Sequence, residues 1–221
     1  MEISHLLNKN ILTLTDDITE ERLLLTLKGD HKMIQLIGFE DKSVRIVGKA
    51  NIVTVEGGVK RLNINQLKVK TLICPDQKLR YLNTRENADL EELFCNKNQL
   101  KELDLRFNFK LRNLDCSFNQ ISHFRLPLPN WPNHNRKFNL NLETLICKFN
   151  SIDNIYSKKY PNLRILDCSN NNLRILDVKD NFQLEIIRCR NNKIHKVFMH
   201  KYPEDTRLVE ISYDGNELYA D

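Results

Sequence analysis

Residues 163–183, LRILDCSNNNLRILDVKDNFQ, constrain this chain more than any other stretch. Leu163, Leu166, Cys168, Asn171 and Leu173 set a frame, and Leu173, Leu176, Val178 and Asn181 set a second frame that overlaps its end. The first frame recurs from Val69, Leu90, Leu111, Leu142, Leu163, Leu184 and Leu208, with successive spacings of 21, 21, 31, 21, 21 and 24. A repeat this short cannot bury an apolar face by itself. It must stack on its neighbours, so a short fixed period predicts a solenoid.

The recurring pattern, leucine-x-x-leucine-x-cysteine-x-x-asparagine-x-leucine, resembles the leucine-rich repeat family in its short 21-residue form. The match is strong over residues 69–221 and weaker over 44–68. The resemblance implies a repeat fold and protein recognition as its usual activity. It names no partner, because a fold does not fix a function.

Both halves of each repeat read as strands. The first spans Leu72–Cys74 and its equivalents, and the second centres on Leu82, Leu103, Phe124, Ile155, Leu176 and Val197. Strands on both sides have equal spacing, so the expected fold is mainly β: a solenoid of about 21-residue coils, low in curvature, with few or no helices. Residues 44–221 are assigned to it, with a ten-residue insertion within 126–141. Residues 1–43 read as an N-terminal cap or as degenerate first coils, with a helix start at Thr15, Asp16 and Asp17 and a β-like run from Arg22 that ends at Gly29. Ile34–Ile37, Val44–Val47, Ile52–Val55 and Leu62–Ile64 read as separate short strands. Counting back one full period from Cys74 reaches Val53, which makes them degenerate coils of the same solenoid.

Cys74, Cys95, Cys116, Cys147, Cys168 and Cys189 share one repeat position. No C-x-x-C pair offers zinc spacing, so they predict an inward ladder of small, reduced thiols. Reduced thiols suit a cytoplasmic setting, including a host cytoplasm for a delivered or virally encoded protein. The start of the chain has no basic region before an apolar run, and no stretch is apolar for long enough to cross a bilayer. Neither a secretory signal nor a membrane span is expected.

Asn98, Asn119, Asn150, Asn171, Asn192 and Asn216 follow the cysteine position by three, and Gln77 takes that place in an earlier turn. An inward amide can bond both N–H and C=O groups of adjacent coils. Asn87, Asn108 and Asn181 repeat the device in the second half. Pro129, Tyr160 and Tyr202 stand in its place elsewhere, where looser corners are expected.

Outward positions carry what specificity the chain has. Phe94, Asp115 and Ile146 alternate with inward residues of the first strand, and Phe118 and Phe149 lie just beyond it on neighbouring turns. Contiguous exposed apolar surface marks an interaction site, so these residues are the candidate partner-binding face. The insertion holds Trp131 among Pro127, Pro129 and Pro132. Trp131 either joins that contact or packs back on the solenoid, and the loop itself could cover the face. The second half offers an alternative basic stripe of Arg85, Arg106, Lys158 and Lys179, interrupted by Asp104, Asp177 and Asp180. Such a stripe can track phosphates, but the net charge of +5 is modest.

There is no H-E-x-x-H, no G-x-S-x-G and no phosphate-binding glycine loop, so no catalytic residue, metal or cofactor is assigned. The expected function is non-enzymatic recognition of a protein partner through the first-strand face. Nucleic-acid or anionic-polymer binding is the alternative, and self-association through an open C-terminal edge is another.

Overall fold

A computed structural model describes residues 11–15, 21–126, 141–157, 160–199 and 210–216. They form strands β1 (Ile11–Thr15), β2 (Arg22–Ile37), β3 (Ser43–Glu56), β4 (Arg61–Lys68), β5 (Thr71–Ile73), β6 (Tyr81–Asn83), β7 (Glu92–Phe94) and β8 (Glu102–Asp104). These are followed by β9 (Asn113–Asp115), β10 (His123–Arg125), β11 (Thr144–Ile146), β12 (Ile165–Asp167), β13 (Ile175–Asp177), β14 (Ile186–Arg188), β15 (Lys196–Phe198) and β16 (Glu210–Ser212). The described residues contain no α-helix.

The first face is one parallel sheet in the order β1-β2-β3-β5-β7-β9-β11-β12-β14-β16. The second face is also parallel, built from β4 with β6, β8 with β10, and β13 with β15. The chain is therefore a mainly β solenoid with strands on both sides. Equivalent residues pair rung on rung: Leu72 with Leu93, Leu93 with Leu114, Leu114 with Leu145, and Leu145 with Leu166. The longest step leaves the register intact, since Asn113 pairs directly with Thr144 across it.

The leucine columns and the cysteine column point inward. Leu72, Leu93, Leu114, Leu145 and Leu166 are all buried, as are the six cysteines. At roughly 25 cal/mol per Å2 of apolar surface removed from water, this continuous core is the main stabilising term. Every cysteine is a free thiol. Burial pushes Cys74 up to about 12 and Cys189 up to about 11, and raises the other thiols in the same direction. A small soft side chain fits where two strands approach across a narrow coil.

The asparagine ladder closes the turns. Asn171 Nδ2 donates to the carbonyls of Cys147 (3.0 Å) and Cys168 (3.1 Å), and its Oδ1 accepts from Ile152 N (2.9 Å). Asn98, Asn119, Asn150, Asn192 and Asn216 repeat this arrangement. In the second half Asn87 donates to Leu67 O, Asn108 to Thr84 O and Asn181 to Ser157 O. Without these amides the corners would bury unpaired backbone groups, each costing about 1–3 kcal/mol.

The N-terminal coils belong to the same sheet but depart from the expected spacing. Val53 pairs with Leu72 and Ile34 with Val53, so the numbering advances by only 19 per coil there. Val55 rather than Val53 therefore precedes Cys74 in its column. The run from Arg22 does not end at Gly29; β2 continues to Ile37 with a register shift between Thr26 and Asp30. Val44–Val47 and Ile52–Val55 are likewise one strand, β3. Its first part pairs with β4 on the second face and its later part with β5 on the first. Gly48 lies between those parts at φ 139°, where an added Cβ would sit 2.7 Å from Leu27 Cβ. Only glycine combines that torsion with so close an approach.

The Tyr160 corner is not loose. Tyr160 is 1% exposed, its N–H donates to Ser157 O (2.9 Å), and its own carbonyl accepts from Asn181. A large ring fills the space where the smaller amide would stand. Thr15, expected to open a helix, closes strand β1 instead. Asp16 and Asp17, Pro129 and Tyr202 lie outside the described residues.

Candidate functional site

The first face turns a sharp corner two positions after each cysteine, and two after Tyr213 in the last described turn. The residues there have positive φ: Asp76 (57°), Lys97 (54°), Phe118 (53°), Phe149 (54°), Asn170 (56°), Asn191 (52°) and Gly215 (72°). The left-handed corner lets the next residue turn its amide inward. Asparagine, aspartate and glycine tolerate it; a bulky side chain is an outlier there. The left-handed form costs an ordinary residue roughly 1–2 kcal/mol. Two successive turns nevertheless place phenylalanine at that corner.

The two rings stack on each other with centroids 4.4 Å apart and planes inclined by 13°. Phe118 is 42% exposed and Phe149 is 44% exposed. The Lys148 ammonium sits 6.0 Å over the Phe118 ring. The corner backbone is held from the next turn, with Phe118 N donating to Lys148 O (2.9 Å) and Phe149 N to Ser169 O (3.0 Å). The rings thus stand on a rigid rung, ordered before any encounter.

Phe94, Asp115 and Ile146 are paired neighbours on the adjoining rungs. Phe94 and Ile146 are half-buried, so they form the floor beside the stacked pair rather than a projecting contact. Asp115 is committed locally: its Oδ1 accepts from Ser117 N (3.0 Å) and Ser117 Oγ (2.6 Å), which fixes the turn leading into Phe118. Asp167, one rung past Ile146, is buried and accepts from Ser169 N (3.2 Å). Trp131 lies outside the described residues.

The alternative stripe does not form a row of free cations. Arg106 makes a two-pronged bond to Asp104, at 2.8 Å and 2.7 Å. That contact outweighs partial burial and holds the Asp104 carboxyl below its usual range. Arg85 lies 4.8 Å over the Phe107 ring, and Arg106 lies 5.9 Å over the same ring. Lys179 is exposed, with its backbone N–H donating to the Asp177 carboxylate (3.5 Å), and Lys158 lies outside the described residues.

A further column of the first face is marked in the sequence only by its period. The residue after each frame position alternates in charge: Lys70, Glu91, Arg112, Glu143, Arg164, Glu185. In the structure Lys70 pairs with Glu91 (3.2 Å), Arg112 with Glu143 (2.6 Å) and Arg164 with Glu185 (3.0 Å). The entry edge of the face is therefore electrically neutral. At the far end Ile211 pairs with Ile187 but is 38% exposed, while the inward residues of the preceding rungs are buried.

Among the described residues no group of three or more metal-binding side chains converges, and no helix is long and apolar enough to cross a membrane. No protein-family model matches the chain, and no curated protein is similar to it.

Proposed function

We propose that this chain is a non-enzymatic recognition module of the leucine-rich repeat type. It binds a protein partner through the first face around Phe118 and Phe149, and it works in a reducing, cytoplasmic setting. One observation carries the reading. Two exposed aromatics occupy left-handed corners where equivalent turns use asparagine, aspartate, lysine or glycine. Strained residues persist where something other than folding retains them. Their stacking returns only about 0.5–1.5 kcal/mol against about 2–4 kcal/mol of strain for the two corners together, so the pair adds no net stability. Rigid exposed aromatics suit partner contact because little side-chain freedom is lost on binding. Six buried free thiols support the reducing setting.

The test replaces both rings with the residue that the neighbouring turns use. Phe118→Asn with Phe149→Asn relieves the corner strain and removes the stack, so stability holds or rises, by up to about 3.5 kcal/mol. Partner capture falls by about 10-fold or more. Arg106→Ala with Lys179→Ala leaves the same partner bound. Undiminished capture by the asparagine variant defeats the proposal. So does a loss of about 3 kcal/mol or more, the signature of a buried core ring.

A further inference from the structure

The cations near the N-terminal end of the second face are treated differently from the arginines of the first. From Arg112 onward the arginines of the first face are neutralised: besides the alternating ladder, Arg188 pairs with Glu210 and Arg190 with Asp214, and Lys148 pairs with Asp167. On the second face, near its N-terminal end, Arg61, Arg80 and Lys101 are all exposed and pair with no carboxylate among the described residues. They line a groove of about 770 Å3 together with Tyr81, Glu102 and His123. Glu102 is the one carboxylate in that lining, against three cations.

The register explains the grouping. Arg61 pairs with Tyr81 across β4 and β6, and Glu102 pairs with His123 across β8 and β10. Arg80 and Lys101 stand one position before Tyr81 and Glu102 in their turns. The cations thus recur turn by turn along the solenoid axis, at a rung spacing of roughly 4.8 Å. Arg80 is oriented, since its Nε donates to Gln99 Oε1 (3.1 Å). The Arg61 guanidinium rests 4.5 Å over the Tyr81 ring, which places an aromatic inside the charged groove. A channel of unpaired like charge focuses its field on the opposite charge.

We infer that this groove binds single-stranded nucleic acid, running along the solenoid axis. Arg61, Arg80 and Lys101 contact successive backbone phosphates, while Tyr81 and His123 offer ring surfaces to the bases. A basic groove interleaved with aromatic side chains is the arrangement by which single strands are held without sequence preference. The site is separate from Phe118 and Phe149 and stands independently of the function proposed for them. It also differs from the Arg85, Arg106 and Lys179 stripe, whose central arginine is already paired with Asp104.

The test is fluorescence anisotropy with a labelled oligothymidylate of about 20 nucleotides, titrated between about 50 and 200 mM salt. With three phosphates neutralised, the logarithm of affinity falls against the logarithm of salt with a slope of about −2. Arg61→Ala, Arg80→Ala and Lys101→Ala together weaken binding by ~10-fold or more and flatten that slope. All three side chains are exposed, so the fold is retained; the thermal midpoint checks this, and Arg80→Gln alone gives a milder variant with a partial loss. Tyr81→Ala weakens the oligonucleotide by ~5-fold or more and leaves inorganic polyphosphate unchanged, because only the former has bases to stack. Arg112→Ala with Arg164→Ala changes neither. No binding at the lowest salt overturns the inference, as does binding that survives the triple change. Polyphosphate bound as tightly as the oligonucleotide, with Tyr81→Ala without effect, reduces the groove to a general anion surface and also overturns it.

Discussion

Asn171→Ala, Asn192→Ala and their combination probe the amide ladder directly. Each cysteine carbonyl in mid-array accepts from two asparagines. Cys168 O receives Asn171 Nδ2 (3.1 Å) and Asn192 Nδ2 (3.0 Å), and Cys147 O receives Asn150 and Asn171, each at 3.0 Å. Asn171→Ala therefore leaves both carbonyls with one donor. What it orphans is Ile152 N, whose side-chain acceptor is Asn171 Oδ1. The single change combines one stranded donor, about 1–3 kcal/mol, with the net loss of two shared bonds at about 0.5–1 kcal/mol each, giving roughly 2–5 kcal/mol. Asn192→Ala strands Leu173 N in the same way. The double variant also removes both donors from Cys168 O, which adds an interaction energy of about 1–3 kcal/mol beyond the sum. Asn98→Ala with Asn171→Ala is the control. Those amides share no carbonyl, so their effects add within about 0.5 kcal/mol. Urea unfolding followed by circular dichroism measures all of these. An additive Asn171/Asn192 pair, or equal coupling in the control pair, refutes the shared-carbonyl account.

Two further outcomes follow from the core and the backbone. The thiols have folded-state values raised above those of the unfolded chain, so native protein keeps protons that the unfolded chain releases. Their contribution is complete below about pH 8.5 and is lost as pH rises through the folded values of about 11 and 12, at about 1.4 kcal/mol per pH unit for each thiol. Thermal midpoints under reducing conditions should fall steeply above pH 9, with no reaction toward a thiol reagent at pH 7; a midpoint flat to pH 10 contradicts the buried ladder. Gly48→Ala should destabilise by about 2 kcal/mol or more, because its Cβ meets Leu27 Cβ at 2.7 Å. Gly58→Ala, where the nearest atom is the flexible Glu40 Cγ at 3.4 Å, should cost about 1 kcal/mol, and equal denaturation midpoints for the two variants would contradict this.

From Val69 onward the fold was legible because chemistry and period coincide. A cysteine and an asparagine at fixed offsets report a buried rung and its closing corner, and the structure places each where its offset predicts. The N-terminal coils were harder to read because Gly29 and Gly48, which read as turns in the sequence, lie inside β2 and β3, and these strands run on from face to face. Their shorter steps also break the count that places Cys74 over Val53. At the candidate site, the exposure of Phe118 and Phe149 followed from their place just beyond the strand. Their left-handed torsion did not, although Asn170, Asn191 and Gly215 at the same offset carry that signal. Asp115 looked like a recognition charge because a sequence shows a carboxylate but not the Ser117 hydroxyl that occupies it. The groove at Arg61, Arg80 and Lys101 needed the structure for the same reason: spacing reveals which cations line up, and only geometry reveals which of them lack a counter-ion.

The unbroken pairing of Asn113 with Thr144 bears on how such a chain can change. These two rungs are further apart in sequence than Thr144 and Ile165 are, yet the strands on either side meet without slipping. Between those rungs, length is decoupled from register. A duplication, a deletion or a foreign peptide at that point changes the length of chain between the two rungs while the rungs themselves stay paired. Chain length can be changed there without rewriting the scaffold, and grafted sequence belongs there first.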